Sequence, residues 1–148
     1  MSNQIIKSVI VEGLANHVYE RWANFESFPK FMKEIESVKK IGDYTYHWVM
    51  KGPSEATIEW YIEITRLDPG KRIAWHSIGG DIKTSGQVTF TALPNAETEV
   101  TVMLHYTPST GPDGNVTAEL FRDIEDRLLR SLRNFKAFAE GMPQRITV

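Results

Sequence analysis

The amino-acid sequence predicts an α+β fold: a curved antiparallel sheet of about seven strands wrapped around one long C-terminal helix, with two short helices after the first strand. Three observations predict it. Apolar residues keep a helical period over Asn115–Gly141, the period changes to two from Ile35 to Thr107, and Gly-, Pro- and Asn-containing turns separate the alternating runs. A sheet with one continuous apolar face must bury it, and the C-terminal segment is the only stretch long and apolar enough to do so.

The elements follow in order. Ile5–Val11 is rich in β-branched residues and short enough for a strand. Leu14, Val18, Trp22 and Phe25 recur at helical spacing, Phe28-Pro29 interrupts them, and a second helical turn is expected through Phe31 and Met32. Phe25, Phe28 and Phe31 are read as core packing. Ile35–Ile41 and Tyr44–Met50 flank Gly42-Asp43, the signature of a hairpin with a two-residue type II′ turn. Glu55–Leu67 is the clearest strand: Ala56, Ile58, Trp60, Ile62 and Ile64 share one face, and Thr57, Glu59, Tyr61, Glu63 and Thr65 the other. Turns are expected at Asp68-Pro69-Gly70, Gly79-Gly80-Asp81 and Pro94-Asn95, bounding strands over Arg72–Ile78, Lys83–Ala92 and Thr98–Tyr106. In the last segment Leu120, Ile124, Leu128, Leu132, Phe135 and Phe138 form one stripe. Glu119, Arg122, Asp123, Asp126, Arg130, Arg133 and Lys136 are assigned to the wet face. Asn115 is read as the N-cap and Gly141, before Met142-Pro143, as the stop.

Bulk properties narrow the function. A chain of 148 residues is expected to form a single domain over 1–148, with a core that needs no metal or disulfide. A net charge of -2 and the lack of a basic stripe argue against a nucleic-acid partner, and no run is long enough for stable membrane insertion. No cysteine means no disulfide framework, thiolate metal site or Cys nucleophile, and fits a reducing, cytoplasmic home. The N-terminal MSNQIIKSVIVEG reads as neither a signal peptide nor a span. The pattern does not specify an oligomeric state.

Catalytic signatures are sparse. His17, His47, His76 and His105 are scattered, with no spacing that sets two imidazoles on one metal, so no metal site is expected. By strand parity His47, His76 and His105 point outward, as do Glu59 and Glu63. No nucleophile elbow and no phosphate-binding glycine motif occurs, so no cofactor is expected and no catalytic set is assigned.

Parity also assembles the concave face: Trp48, Met50, Ile58, Trp60, Ile62, Ile73, Trp75, Ser77, Gly86, Val88, Phe90, Val100, Val102, Leu104 and Tyr106, faced by Leu120, Ile124 and Leu128 of the helix. Ser77 and Tyr106 are its polar members, and Gly86, in mid-strand, is expected to leave space on the inner face. Residue types alone fit a filled core as well as a cavity. Arg127 and Ser131, each one residue before a stripe leucine, stand within reach of a cavity end, but Arg127 is read as a solvated residue of the helix flank.

Phe28-Pro29 with Phe31-Met32, Glu59-Trp60, Ile73-Ala74-Trp75-His76-Ser77, Ser85-Gly86-Gln87-Val88-Thr89-Phe90 and the closing LRNFKAFAE of Leu132–Glu140 occur in that order. Together they resemble the polyketide cyclase/dehydrase branch of the START-like helix-grip superfamily. The resemblance implies a sheet gripping the helix around an internal cavity for a hydrophobic ligand. Its members range from aromatase/cyclases through coenzyme Q-binding and lipid-carrier proteins to pollen-allergen-like binders, and fold does not decide among them. The expected function is binding or transport of a lipid-like or polycyclic small molecule. The alternative is a polyketide cyclase or aromatase working in the same cavity, with Tyr106 or an inward Arg as a weak acid or base.

Overall fold

The computed structural model describes residues 3–52, 56–107 and 124–141. Seven strands form one antiparallel sheet: β1 (Asn3–Glu12), β2 (Ile35–Lys40), β3 (Thr45–Lys51), β4 (Thr57–Asp68), β5 (Arg72–Gly80), β6 (Lys83–Leu93) and β7 (Glu97–Thr107). Helix α1 (Ala15–Ala23) and a 3-10 turn (Phe25–Lys30) follow β1, and helix α2 (Ile124–Gly141) follows β7. The expected start of the long helix at Asn115 lies outside the described residues, as does Leu120.

The strand order is β1-β7-β6-β5-β4-β3-β2. Consecutive strands pair wherever a short turn joins them, whereas β1 lies on β7, in register from Asn3↔Tyr106 to Glu12↔Glu97. The chain therefore has to travel from one edge of the sheet to the other between β1 and β2, and α1 with the 3-10 turn covers that distance. The sheet curls, and the α2 stripe packs on its inner face: Leu132, Phe135 and Ala139 are at most 1% exposed and share one buried cluster with Val11, Val88 and Val100. Phe135 meets the rings of Trp22 and Phe31 at centroid distances of 4.9 and 5.5 Å, in edge-on geometry that aromatic pairs favour.

Local chemistry explains the turns. Lys71 N–H donates to Asp68 O at 2.9 Å, and Gly70 takes the positive φ of 75° that an L side chain resists, with Pro69 before it. At the β6–β7 end, Asn95 and Ala96 both adopt positive φ, and Ala96 O accepts Gly13 N–H at 2.8 Å. Thr98, fully buried, donates its hydroxyl to Gly13 O at 2.8 Å. These bonds pin the β1–α1 corner to the β6–β7 hairpin.

Several expectations are corrected. The β2–β3 hairpin forms, but Ile41 to Tyr44 all lie outside the strands, and Ile41 and Gly42 N–H both donate to Thr45 O. Gly42 lacks the positive φ a type II′ turn requires, so the connection is a wider loop. Gly79 and Gly80 belong to β5, paired opposite Tyr61 and Trp60, where glycine is needed at 80 because a Cβ there would meet the Trp60 backbone; the chain turns at Asp81. The second helical turn is a 3-10 segment that starts at Phe25 and contains Phe28-Pro29 instead of following it. Leu14 precedes α1 and is 66% exposed, so the buried face of α1 is Val18, Tyr19 and Trp22.

Lys136, assigned to the wet face, instead docks on β1. Its Nζ donates to Ile10 O at 2.9 Å and to Glu140 Oε2 at 2.6 Å, and Glu140 in turn accepts Glu12 N–H at 2.8 Å. β1 is an edge strand, and α2 side chains satisfy part of its open edge.

Candidate functional site

The core is solid at one end and hollow at the other. Where α1 packs on β6 and β7, Phe90 contacts Tyr19 and Trp22 at ring distances of 5.6 and 6.4 Å, and Val88, Val100, Leu132 and Phe135 have no exposed surface. Toward the first described turns of α2 the filling thins. Leu132 and Phe135 are buried, whereas Ile124 and Leu128 on the same stripe are only partly so. Two adjoining lobes of about 180 and 210 Å³ occupy this half.

The inner lobe is walled by all four tryptophans, Trp22, Trp48, Trp60 and Trp75, with Phe25, Phe28, Met32, Ile62, Ile64, Thr84, Val102, Leu104 and Leu128. Among the described residues no ionisable side chain lines it. Trp48 and Trp60 stand directly opposite each other on β3 and β4, and their rings stack at 5.9 Å. Trp48 is 9% exposed and its Nε1–H has no hydrogen-bond partner among the described residues, an orphan donor in an apolar wall. The outer lobe shares Met32, Trp60, Thr84, Leu104 and Leu128, and adds Glu34, Ile35, Met50, Ile82, Ile124, Arg127 and Ser131.

Of the residues expected to bind a ligand, Trp48, Met50, Trp60, Ile62, Trp75, Val102, Leu104, Ile124 and Leu128 line these lobes. Ile58, Val88 and Phe90 face inward but are buried in filled core, and Tyr106 is half-buried against the core without lining either lobe. Ser77 is drawn to the strand edge, where its hydroxyl accepts Thr84 N–H at 3.1 Å. Gly86 does not leave space in the cavity. A Cβ there would overlap the Met103 carbonyl oxygen on β7 and lie 3.1 Å from the Trp75 ring, so close backbone approach, not ligand room, calls for glycine.

Sequence reasoning missed Trp22, Phe25, Phe28, Met32, Glu34 and Ile82, which reach the lobes from outside the strands, and Ile35, Ile64 and Thr84 within them. Strand parity addresses only sheet residues, although the aromatic density of Phe25–Met32 was a visible signal.

The outer face behaves differently. His47 Nε2 and Glu59 Oε1 lie 2.8 Å apart, His76 Nε2 and Glu63 Oε1 2.9 Å, and His47 stacks on Tyr61 at 4.5 Å. These are exposed cross-strand pairs of modest energy. No group of three or more metal-ligating side chains occurs among the described residues. A wider depression of about 750 Å³ opens where β5 and β6 part beyond His76↔Ser85, but it is a shallow surface of mixed character, lined by His76, Ser77, Lys83 and His105 together with Ile78 and Ile82. Size therefore favours the depression and chemistry the lobes. A recess with apolar walls suits a hydrophobic small molecule better than a surface of mixed character, so the lobes are the stronger candidate.

Tyr46, whose ring meets Phe25 at 5.0 Å, is pushed above the usual phenol range by burial and by Glu26.

Comparison with known proteins agrees with this geometry. Residues 11–133 match the family model described as polyketide cyclase/dehydrase and lipid transport. An uncharacterized 17.2 kDa protein of Streptomyces lincolnensis is 31% identical over 142 residues, covering 96% of this chain and 93% of its own. The Zhui aromatase/cyclase of Streptomyces sp. R1128 superposes with a TM-score of 0.76 at 18% identity, covering 95% of this chain and 94% of that one. A START superfamily protein of Mycobacterium smegmatis gives 0.72 at 15% identity, with 91% and 97% covered. At such identities the two structures speak for the fold alone. Among the described residues no helix is long and apolar enough to cross a membrane.

Proposed function

The chain belongs to the polyketide cyclase/dehydrase and lipid-transport family, and on that premise we propose that it binds or carries a hydrophobic small molecule, lipid-like or polycyclic, in the two lobes between sheet and α2. One observation carries the reading: two adjoining lobes of about 180 and 210 Å³ open into the interior, and among the described residues the inner one is lined by aromatic and aliphatic side chains and Thr84, with no ionisable group. An empty apolar space costs the fold the contacts its lining would otherwise make, and a ligand that fills it recovers them. The unpartnered Trp48 Nε1–H offers such a ligand a fixed point, since a buried donor gains most from an acceptor that arrives without water. The absence of cysteine supports placing this role in the cytoplasm.

Cyclase or aromatase chemistry in the same space is the second reading, favoured by the fold shared with the Zhui aromatase/cyclase. It finds less support in the residues. Of the expected groups, Tyr106 lies outside both lobes, and an inward Arg is present only as Arg127 at the outer lobe, away from the aromatic inner lobe; acid–base chemistry needs a group within hydrogen-bond reach of the reacting atoms.

The four tryptophans make binding directly observable. Titration with fatty acids, quinones and flavonoid-like probes should change intrinsic fluorescence saturably, and Leu104→Trp, which fills the junction of the lobes, should weaken the response. Absence of uptake for every probe, together with no small molecule in organic extracts or native mass spectra, overturns the proposal.

A further inference from the structure

The helix strip that faces the outer lobe is Ile124, Arg127, Leu128 and Ser131, the i, i+3, i+4, i+7 positions of one face. Arg127 thus stands where the pattern would otherwise place an apolar residue, while its neighbours Asp126 and Arg130 are exposed. Its one described ion-pair partner is Glu34, at Nη1–Oε2 3.4 Å, with side chains 33% and 40% exposed. A guanidinium in good carboxylate geometry makes two parallel bonds near 2.7–2.9 Å. The single long contact leaves most of the five Arg donors uncommitted to Glu34. Glu34 is itself held in place, since its backbone O accepts Lys51 N–H at 2.9 Å. Among the described residues, the charged side chains lining the two lobes, Glu34 and Arg127, therefore both sit at the outer lobe, and the rest of the lining is apolar except for Thr84, Ser131 and the indole N–H groups.

Building on the binding role above, we propose that the ligand is an amphipathic carboxylic acid. Its carboxylate is received by Arg127 at the outer lobe, where it competes with Glu34, and its apolar body passes Trp60 and Leu104 into the tryptophan-walled inner lobe. A planar, permanently charged fork recognises a carboxylate bidentately, and partial desolvation at the lobe strengthens that bond over one made in open water. Ser131, one turn further along the same face, is placed to donate a hydroxyl to the second carboxylate oxygen.

The test compares decanoic acid, decan-1-ol and methyl decanoate by tryptophan fluorescence and calorimetry on the full chain, with acetate as the head-group-only control. Expected is an acid bound about tenfold or more tightly than the alcohol or ester, the range a charge-assisted hydrogen-bonded pair supports, with acetate bound weakly or not at all. Arg127→Gln should bring the acid down to the level of the alcohol and leave the alcohol unchanged. Glu34→Gln should move the acid the other way, to tighter binding, a change no loss of fold can imitate. Equal affinity for acid, alcohol and ester, an Arg127→Gln loss shared by all three, or a Glu34→Gln variant that weakens acid binding overturns the assignment and leaves the cavity reading intact. If none of the three C10 compounds binds, the cavity reading falls with it.

Discussion

Leu128 and Leu132 are the same residue type, one turn apart on the same stripe of α2, yet they border different halves of the interior. Leu132 is fully buried in the filled half. Truncating it to alanine removes three buried carbons, about 2.4 kcal/mol at roughly 0.8 kcal/mol per methylene. The surrounding close-packed side chains collapse only partly into the hole, which raises the expected loss to about 3–4 kcal/mol. Leu128 is half-buried and already faces the void on its lobe side, so it has fewer neighbours to lose. Its truncation should cost about 1–1.5 kcal/mol. For a chain of this size those figures correspond to falls in Tm of about 8–12 °C and about 3–5 °C. Urea denaturation of the ligand-free protein, with the slope checked for constancy, gives the comparison directly. If Leu128→Ala proves as costly as Leu132→Ala, the space beside Leu128 is filled and the hollow-half argument fails.

Two further outcomes follow from named contacts. Burial raises the Glu140 pKa, but the hydrogen bonds from Lys136 and from Glu12 N–H, with the Lys136 charge, outweigh it and hold the carboxyl below its ordinary value of 4.5. The stabilisation is thus fully present above pH 4.5 and is lost as pH falls through the lower folded-state value. Glu140→Gln should cost on the order of 1 kcal/mol at pH 7, with the difference from the parent vanishing in acid; a gap that stays constant from pH 7 to pH 3 in thermal melts contradicts the pairing. Gly86→Ala should destabilise by about 1–3 kcal/mol through overlap with the Met103 carbonyl while sparing the affinity of the folded protein for apolar probes. A stable variant with weakened uptake would return Gly86 to the cavity wall.

What the sequence determined alone is everything that depends on period. Alternation from Ile35 to Thr107 placed Trp48, Trp60 and Trp75 on the concave side, and a helical stripe marked Leu128, Leu132 and Phe135 for burial, because side-chain direction in a strand or helix follows from backbone geometry one residue at a time. Order and turn residues then gave the meander its neighbours. What period could not decide is how fully facing side chains meet. Phe90 and Trp60 share one sheet face, yet Phe90 is packed by Tyr19 and Trp22 from α1, while Trp60 borders open space. The partners come from an element remote in sequence, and whether they fill a volume is a property of three-dimensional packing. The same holds for Arg127, a flank residue in the helical pattern that borders the outer lobe beside Met32, Glu34 and Met50 of distant segments, and for Gly86, whose missing side chain is explained by a carbonyl on another strand. Direction is written locally along the chain; vacancy and proximity are written only when distant segments are brought together.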